Sequence, residues 1–170
     1  MASGKFFPAA GFDLGVATSY ATFNQATLPR PGMLGQINED GGICYRLVQF
    51  DNGVGNVAAA AGAAAYWKTR ASSIVTSDES DGEGLLHGYA GFFLLVVTDQ
   101  NYCFVQVGGP ITNLITDGNV AKGGALILTT TDGTITSQAA GSVNTKSFGY
   151  ADADDAATVG TGYLNVGAFI

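Results

Sequence analysis

The sequence predicts an all-β fold, a small β-barrel or sandwich with an extended N-terminal arm and one short Ala-rich helix. Three observations predict it. Short apolar runs of about strand length recur from residue 43 to the C-terminus, separated by Gly, Pro, Asn and Asp breakers, which is the rhythm of a barrel or sandwich. Among them "GGALILTTTDGTITSQAAG", residues 123–141, places Asp132 and Gly133 between two β-branched and aliphatic segments, the signature of a tight hairpin. Finally, Gly fills 25 of 170 positions and only 12% of residues are charged, against about 25% in an average soluble protein. That balance favours tight turns and close backbone approach over surface helices coated in Lys and Glu.

In chain order, residues 1–41 form the first unit. Phe6, Phe7, Phe12, Tyr20 and Phe23 are interspersed with Pro8, Gly11, Gly15, Pro29, Pro31, Gly32 and Gly35, and neither a 3.6-residue nor a 2-residue period persists. Five aromatics suit disorder poorly, yet so many breakers cannot build a core. The segment reads either as an extended arm whose aromatics dock on a protein partner or as loops packed on the chain's own domain. On the first reading those five rings are the candidate interface residues.

Residues 42–170 form the second unit. "ICYRLVQF" (43–50) reads as a strand closed by the turn at Asp51, Asn52 and Gly53. "NVAAAAGAAAYWKTR" (56–70) predicts the short helix, near 56–67. Alanine has the highest helix propensity, and Lys68 and Arg70 would face the negative end of the helix dipole. Gly62 costs such a helix about 1 kcal/mol, so Tyr66 and Trp67 would have to anchor it; an alanine run also suits a close-packed strand. After the acidic link at 76–84, strands are expected at 91–98, 101–107, 111–116, 125–130, 133–138, 147–152 and 162–170. Gly108, Gly109 and Pro110 read as a barrel corner, where glycine permits a sharp bend and proline lacks the ladder donor.

Composition narrows the function. The net charge of −7 rests on only seven basic residues, too dispersed to neutralise phosphates, so nucleic acid is not an expected partner. Pro8, Gly11, Asp13 and Gly15 interrupt the apolar run a signal peptide requires. The longest apolar run, "YAGFFLLVV", is far short of the roughly 20 residues of a membrane helix, so no membrane partner is expected either. Cys44 and Cys103 are the only cysteines, which points to folding in a reducing cytoplasm without a disulfide.

Candidate chemistry is sparse. His87 is the single histidine and has no nucleophile motif beside it, so it reads as a surface or turn residue. Asp78, Glu79, Asp81 and Glu83, and likewise Asp152, Asp154 and Asp155, lack the glycine and glutamate positions of a calcium loop and read as solvated loops. "GVGNVAAAAG" lacks the lysine and full glycine spacing of a phosphate loop. No catalytic residue, metal site or cofactor is expected.

The segment "NYCFVQVGGPITNLITDGNVAKGGALILTTTDGTITSQAAG", followed by "SFGYADADDAATVGTGYLNVGAFI", resembles the small capsid-decoration, or cement, proteins of tailed bacteriophages. Their order is a strand ending at a Gly corner, a "kGgaLil…tDGtit" hairpin, an "fGyA" strand, an acidic turn and a closing apolar strand. The likeness covers about residues 85–170, with "RLVQFDNG" a weaker upstream match, and the arm at 1–41 departs from it. It implies a structural virion protein, not an enzyme, made in the host cytoplasm and seated on the outer capsid surface. The implied partner is the major capsid protein; closed rotational symmetry and the threefold positions of an icosahedral shell in turn favour self-association as a homotrimer over a dimer or monomer. Rival readings are a virion-surface adhesin that stacks host glycans on Tyr89, Tyr102 and Tyr163, and a small hydrolase dependent on His87. A major capsid protein fits poorly, for want of a long helix and sufficient size.

Overall fold

The computed structural model describes residues 37–40, 42–81, 88–138, 147–155 and 157–165. Ten strands run β1 (Ile37–Asp40), β2 (Ile43–Phe50), β3 (Ala64–Thr69), β4 (Ile74–Thr76), β5 (Tyr89–Phe93), β6 (Tyr102–Ile115), β7 (Ala125–Leu128), β8 (Ile135–Gln138), β9 (Gly149–Ala151) and β10 (Val159–Leu164). Two short 3₁₀ turns, Arg70–Ser72 and Glu79–Asp81, are the only helical elements among the described residues. The fold is all-β, as the turn spacing predicts.

Five strands close a barrel in the order β2-β4-β3-β5-β6, with β6 returning to pair with β2. β2 and β4 run parallel, while the other pairs are antiparallel. Along β2 and β6 alternate side chains point inward. Val48, Phe50, Cys103, Val105 and Val107 meet Ala63, Ala65, Trp67, Val75, Ala90 and Phe93 in one core. Arg46 caps that core by lying 5.2 Å over the Trp67 ring. β1 extends the wall by pairing with the first half of β2, so the segment expected as an arm over 1–41 gives way to strand at Ile37.

The helix expected near 56–67 does not form. Ala59 makes an isolated bridge with Val97, Gly62 turns at φ +83°, and the chain then enters strand β3. Alanine here serves size rather than helix propensity: Ala63 and Ala65 let the chain sit close to β5 and the end of β6. A Cβ on Gly62 would stand 1.7 Å from the Asn113 carbonyl oxygen, and the Gly62 carbonyl accepts the Ile115 N–H at 3.0 Å. Propensity differences of a few tenths of a kcal/mol per residue lose to a closed hydrogen-bond ladder and a buried face. Tyr66 and Trp67 do anchor the segment, on opposite faces of a strand: Trp67 in the barrel and Tyr66 in the seam described next.

β6 is one strand of 14 residues, where two were expected. Gly109 within it has φ +87°, and its missing Cβ would lie 2.5 Å from the Gly42 carbonyl oxygen; at Gly108 and Gly109, where a corner between two strands was expected, the strand continues and changes partner from β2 to β10. Beyond that point β6 pairs with β10, and the sheet continues through β9 and β7 to β8. This outer sheet curls until one parallel bridge, Thr116 to Ile135, brings its ends together. Its inner face, with Leu114, Leu126, Ile135, Phe148 and Leu164, packs on the outside of the barrel at Ala64, Tyr66, Tyr89 and Phe92. In that seam Phe148 stacks on Tyr89 at 4.4 Å and meets Phe92 edge-on at 5.5 Å.

The β7–β8 hairpin forms as expected, with the Thr134 N–H donating to the Thr131 carbonyl at 3.1 Å across the turn. Its tip is fastened to the barrel: the Ala64 N–H donates to the Gly133 carbonyl at 2.8 Å, and the Glu79 N–H to Asp132 Oδ1 at 2.8 Å. The strand expected at 91–98 ends at Phe93. The closing strand begins at Val159 rather than 162.

Candidate functional site: an exposed tyrosine pair

β10 reads Val159, Gly160, Thr161, Gly162, Tyr163, Leu164, and alternation sends Gly160, Gly162 and Leu164 inward and the others out. Across the ladder Tyr163 stands opposite Tyr150 of β9 on one side and Pro110 of β6 on the other. The Tyr150 and Tyr163 rings stack at 5.7 Å between centroids, 15° from parallel, yet remain 51% and 45% exposed. The row continues through Ala125 of β7 and Gln138 of β8. A row of neutral side chains that includes the two rings thus crosses the outer sheet. Such a surface presents ring faces and phenol hydroxyls, and a cross-strand aromatic pair holds its own geometry.

Of the three tyrosines expected to meet glycans, only Tyr163 lies on this face. Tyr89 is buried in the seam, stacked on Phe148, and burial holds its hydroxyl well above the ordinary phenol range against the opposing charge of Arg46. Tyr102 is buried on the barrel's outer wall. Tyr150 was not anticipated; alternation in "SFGYAD" would have found it. Phe6, Phe7, Phe12, Tyr20 and Phe23 lie outside the described residues, as do His87 and Glu83.

The acidic link is more than a solvated loop, because its carboxylates hold backbone. Asp78, a buried side chain, accepts hydrogen bonds from the Ser80 hydroxyl at 2.6 Å, the Ser80 N–H at 3.0 Å and the Gly55 N–H at 3.2 Å. These donors, Ser80 foremost, keep its pKa below the usual carboxylate value. Asp81 accepts the Val54 N–H at 2.5 Å, and Lys68 bridges Asp51 at 2.8 Å. In the second acidic turn Asp154 accepts the Lys122 N–H at 2.8 Å and Asp155 the Thr116 hydroxyl at 2.5 Å. Among the described residues no group of three or more His, Cys, Asp and Glu is placed to hold a metal ion.

No disulfide joins Cys44 and Cys103. Their register explains it: Cys44 pairs with Gly108 and Cys103 with Val48, several positions apart along the same two strands. Burial pushes the Cys103 thiol up to about 12, leaving it protonated and unreactive.

No protein-family model matches the chain, and no curated protein matches it.

Proposed function

We propose that the chain is a structural virion protein that binds the outer surface of a tailed-phage capsid and stabilises contacts between major capsid protein subunits. The observation that carries this reading is the exposed Tyr150–Tyr163 pair on a neutral sheet face. That face is built by β7, β8, β9 and β10, the segments in which the resemblance to decoration proteins resides. Exposed aromatic pairs on rigid strands are economical binding anchors, because little side-chain freedom is lost on contact. A negative chain with few basic groups favours the outside of a shell over the DNA packed within it. Assembly as a homotrimer would match threefold positions on the shell, and three linked footprints would raise avidity without strong individual contacts.

The decisive experiment is mass spectrometry of purified particles. A decoration protein is present in a fixed, high ratio to the main shell protein, and its removal lowers the temperature at which the capsids rupture. Absence from particles, or a few copies confined to the tail, would end the reading. A twofold dimer on the capsid would end the trimer.

The same tyrosine pair favours one other reading, an adhesin that stacks host sugars on the ring faces. A glycan array separates the two, since specific sugar binding abolished by Tyr163→Ala belongs to the adhesin alone.

A further inference from the structure

We propose that the outer sheet takes an arginine side chain of the protein it docks on, stacked on the Tyr150 ring above Ala125 and paired with the Asp152 carboxylate. The inference rests on the reading of this face as the binding surface, and it names the chemistry the partner must present.

The seat follows from register. Tyr150 has Tyr163 opposite on β10 and Ala125 opposite on β7, so one flank of its ring is occupied by the stacked Tyr163 and the other stands over a methyl group. Further along the same flank the Gly123 N–H donates to the Ala151 carbonyl and the Ala151 N–H to the Gly124 carbonyl, both at 2.9 Å. Two glycines therefore bond the residue between Tyr150 and Asp152. A Cβ on Gly123 would meet nothing within 4 Å, whereas one on Gly124 would meet Ser137, so the space beside Ala151 is open at Gly123. The Asp152 N–H donates to the Thr161 carbonyl at 3.1 Å and carries the β9–β10 ladder one residue further. With Ala151 buried, alternation puts the exposed Asp152 on the face of Tyr150, about 7 Å along the strand.

Charge complementarity selects a cation for this seat. Among the described residues from 116 onward, Asp117, Asp132, Asp152, Asp154 and Asp155 are set against a single base, Lys122. Asp154 accepts the Lys122 N–H and Asp155 the Thr116 hydroxyl, while no described residue donates to the Asp152 carboxylate. A guanidinium answers both open groups at once, because its plane stacks on a tyrosine face and its fork donates two N–H groups to a carboxylate. An ammonium offers only a point charge. Ring and cation attract within about 6 Å of the centroid, a separation that leaves the fork within reach of Asp152. The barrel uses the same attraction internally: Arg46 and Arg70 lie 5.2 and 5.7 Å from the centre of Trp67. They are the arginines among the described residues, and their engagement there makes a different protein a better source of the guanidinium than a second copy.

The test uses the full-length chain with ¹³C in its tyrosine rings, the signals of Tyr150 and Tyr163 being assigned by Tyr→Phe exchange. Acetyl-Gly-Arg-Gly-amide is expected to shift Tyr150 most, and saturably. The citrulline peptide, isosteric but uncharged, and the Asp152→Asn variant should each weaken binding about tenfold. Shifts confined to other tyrosines, no saturable shift, equal binding of the citrulline or lysine peptide, or full affinity in Asp152→Asn would overturn the proposal. The peptide comparisons use the parent chain and decide alone should the variant misfold. Arginine binding by a chain absent from particles would support this seat and remove the shell as partner. A chain abundant on capsids but indifferent to the arginine peptide would keep the shell and overturn the seat.

Discussion

The closed barrel and the outer sheet share β6 but solve the edge problem differently. In the barrel every strand of the ring has two partners, β6 returns to β2, and the interior is lined by Ala, Val, two phenylalanines, Trp67 and Cys103. The outer sheet closes through a single bridge between Thr116 and Ile135 and depends on the barrel's outside for much of its core. The barrel turns its glycines and alanines to close approach; the outer sheet keeps one face open and places two tyrosines on it. Closure therefore serves stability, the open face is the proposed binding surface, and substitutions in the two regions should separate those properties.

The largest effect is expected where the two regions meet. Gly62→Ala would set a Cβ 1.7 Å from the Asn113 carbonyl oxygen at φ +83°, and should cost about 4 kcal/mol or prevent folding. Gly123 has a similar φ of +74° but nothing within 4 Å of its missing Cβ. Gly123→Ala should cost about 1 kcal/mol, the backbone penalty alone. Urea midpoints of the two variants measure the contrast, and equal losses would refute the role assigned to close approach.

Next comes the seam. Phe148→Ala removes a fully buried ring stacked on Tyr89 and is expected to cost about 3 kcal/mol. Hydrogen exchange would sharpen the comparison: amides of β7 to β10 should lose protection well before those of β2 and β6. Uniform loss would mean that barrel and outer sheet unfold as one unit.

A smaller effect concerns the barrel's acidic link. Asp78 and Asp51 both have lowered pKa values, Asp78 chiefly through Ser80 and Asp51 chiefly through Lys68. A carboxylate with a depressed folded pKa contributes stability that is full above its unfolded value of about 3.9 and disappears as pH falls through the folded value. Lys68 is raised, chiefly by the same bond to Asp51, so its contribution is full below about 10.4 and disappears as pH rises through the folded value. Stability should be flat across neutral pH and decline at both extremes. Asp78→Ala should cost about 2 kcal/mol for its buried charge-assisted bonds, against about 0.5 kcal/mol for Asp51→Asn at a partly exposed ion pair. The acid limb of a pH series should flatten in Asp78→Ala.

The same contrast governs what the sequence reveals. β2, the two halves of β6 and the β7–β8 hairpin are legible because each carries its own alternation and turn residues. β3 is not: an alanine run is locally a helix signal, and only pairing with the distant β4 and β5, with the bonds of Gly62 and Ala63 to the Phe93 and Ile115 backbones beside it, makes it a strand. β4 is three residues long and gains its place from parallel pairing with β2, which no local pattern encodes. Tyrosines divide similarly. Alternation distinguishes the two faces of a strand but not which outer face is covered, so Tyr89 and Tyr102 read as surface candidates alongside Tyr163.

The smallest effect on folding should accompany the largest effect on binding. Tyr150 and Tyr163 rest on each other above a sheet whose core lies on its other side, so their joint replacement by Ala removes one cross-strand pair and opens no cavity. The expected cost to stability is below about 1 kcal/mol, and the far-ultraviolet spectrum should be unchanged. On a shell, paired aromatics at the centre of a neutral footprint would act as anchors, and their loss should weaken retention about 30-fold, the equivalent of about 2 kcal/mol. Tyr163→Phe separates the ring from its hydroxyl: near-normal retention would assign the contact to the ring face, whereas a loss matching Tyr163→Ala would assign it to a hydrogen bond. Should the double variant unfold instead, the open face belongs to the core and the division between stabilising barrel and binding sheet fails. Should it fold and bind as tightly as the parent, the footprint lies elsewhere on the molecule.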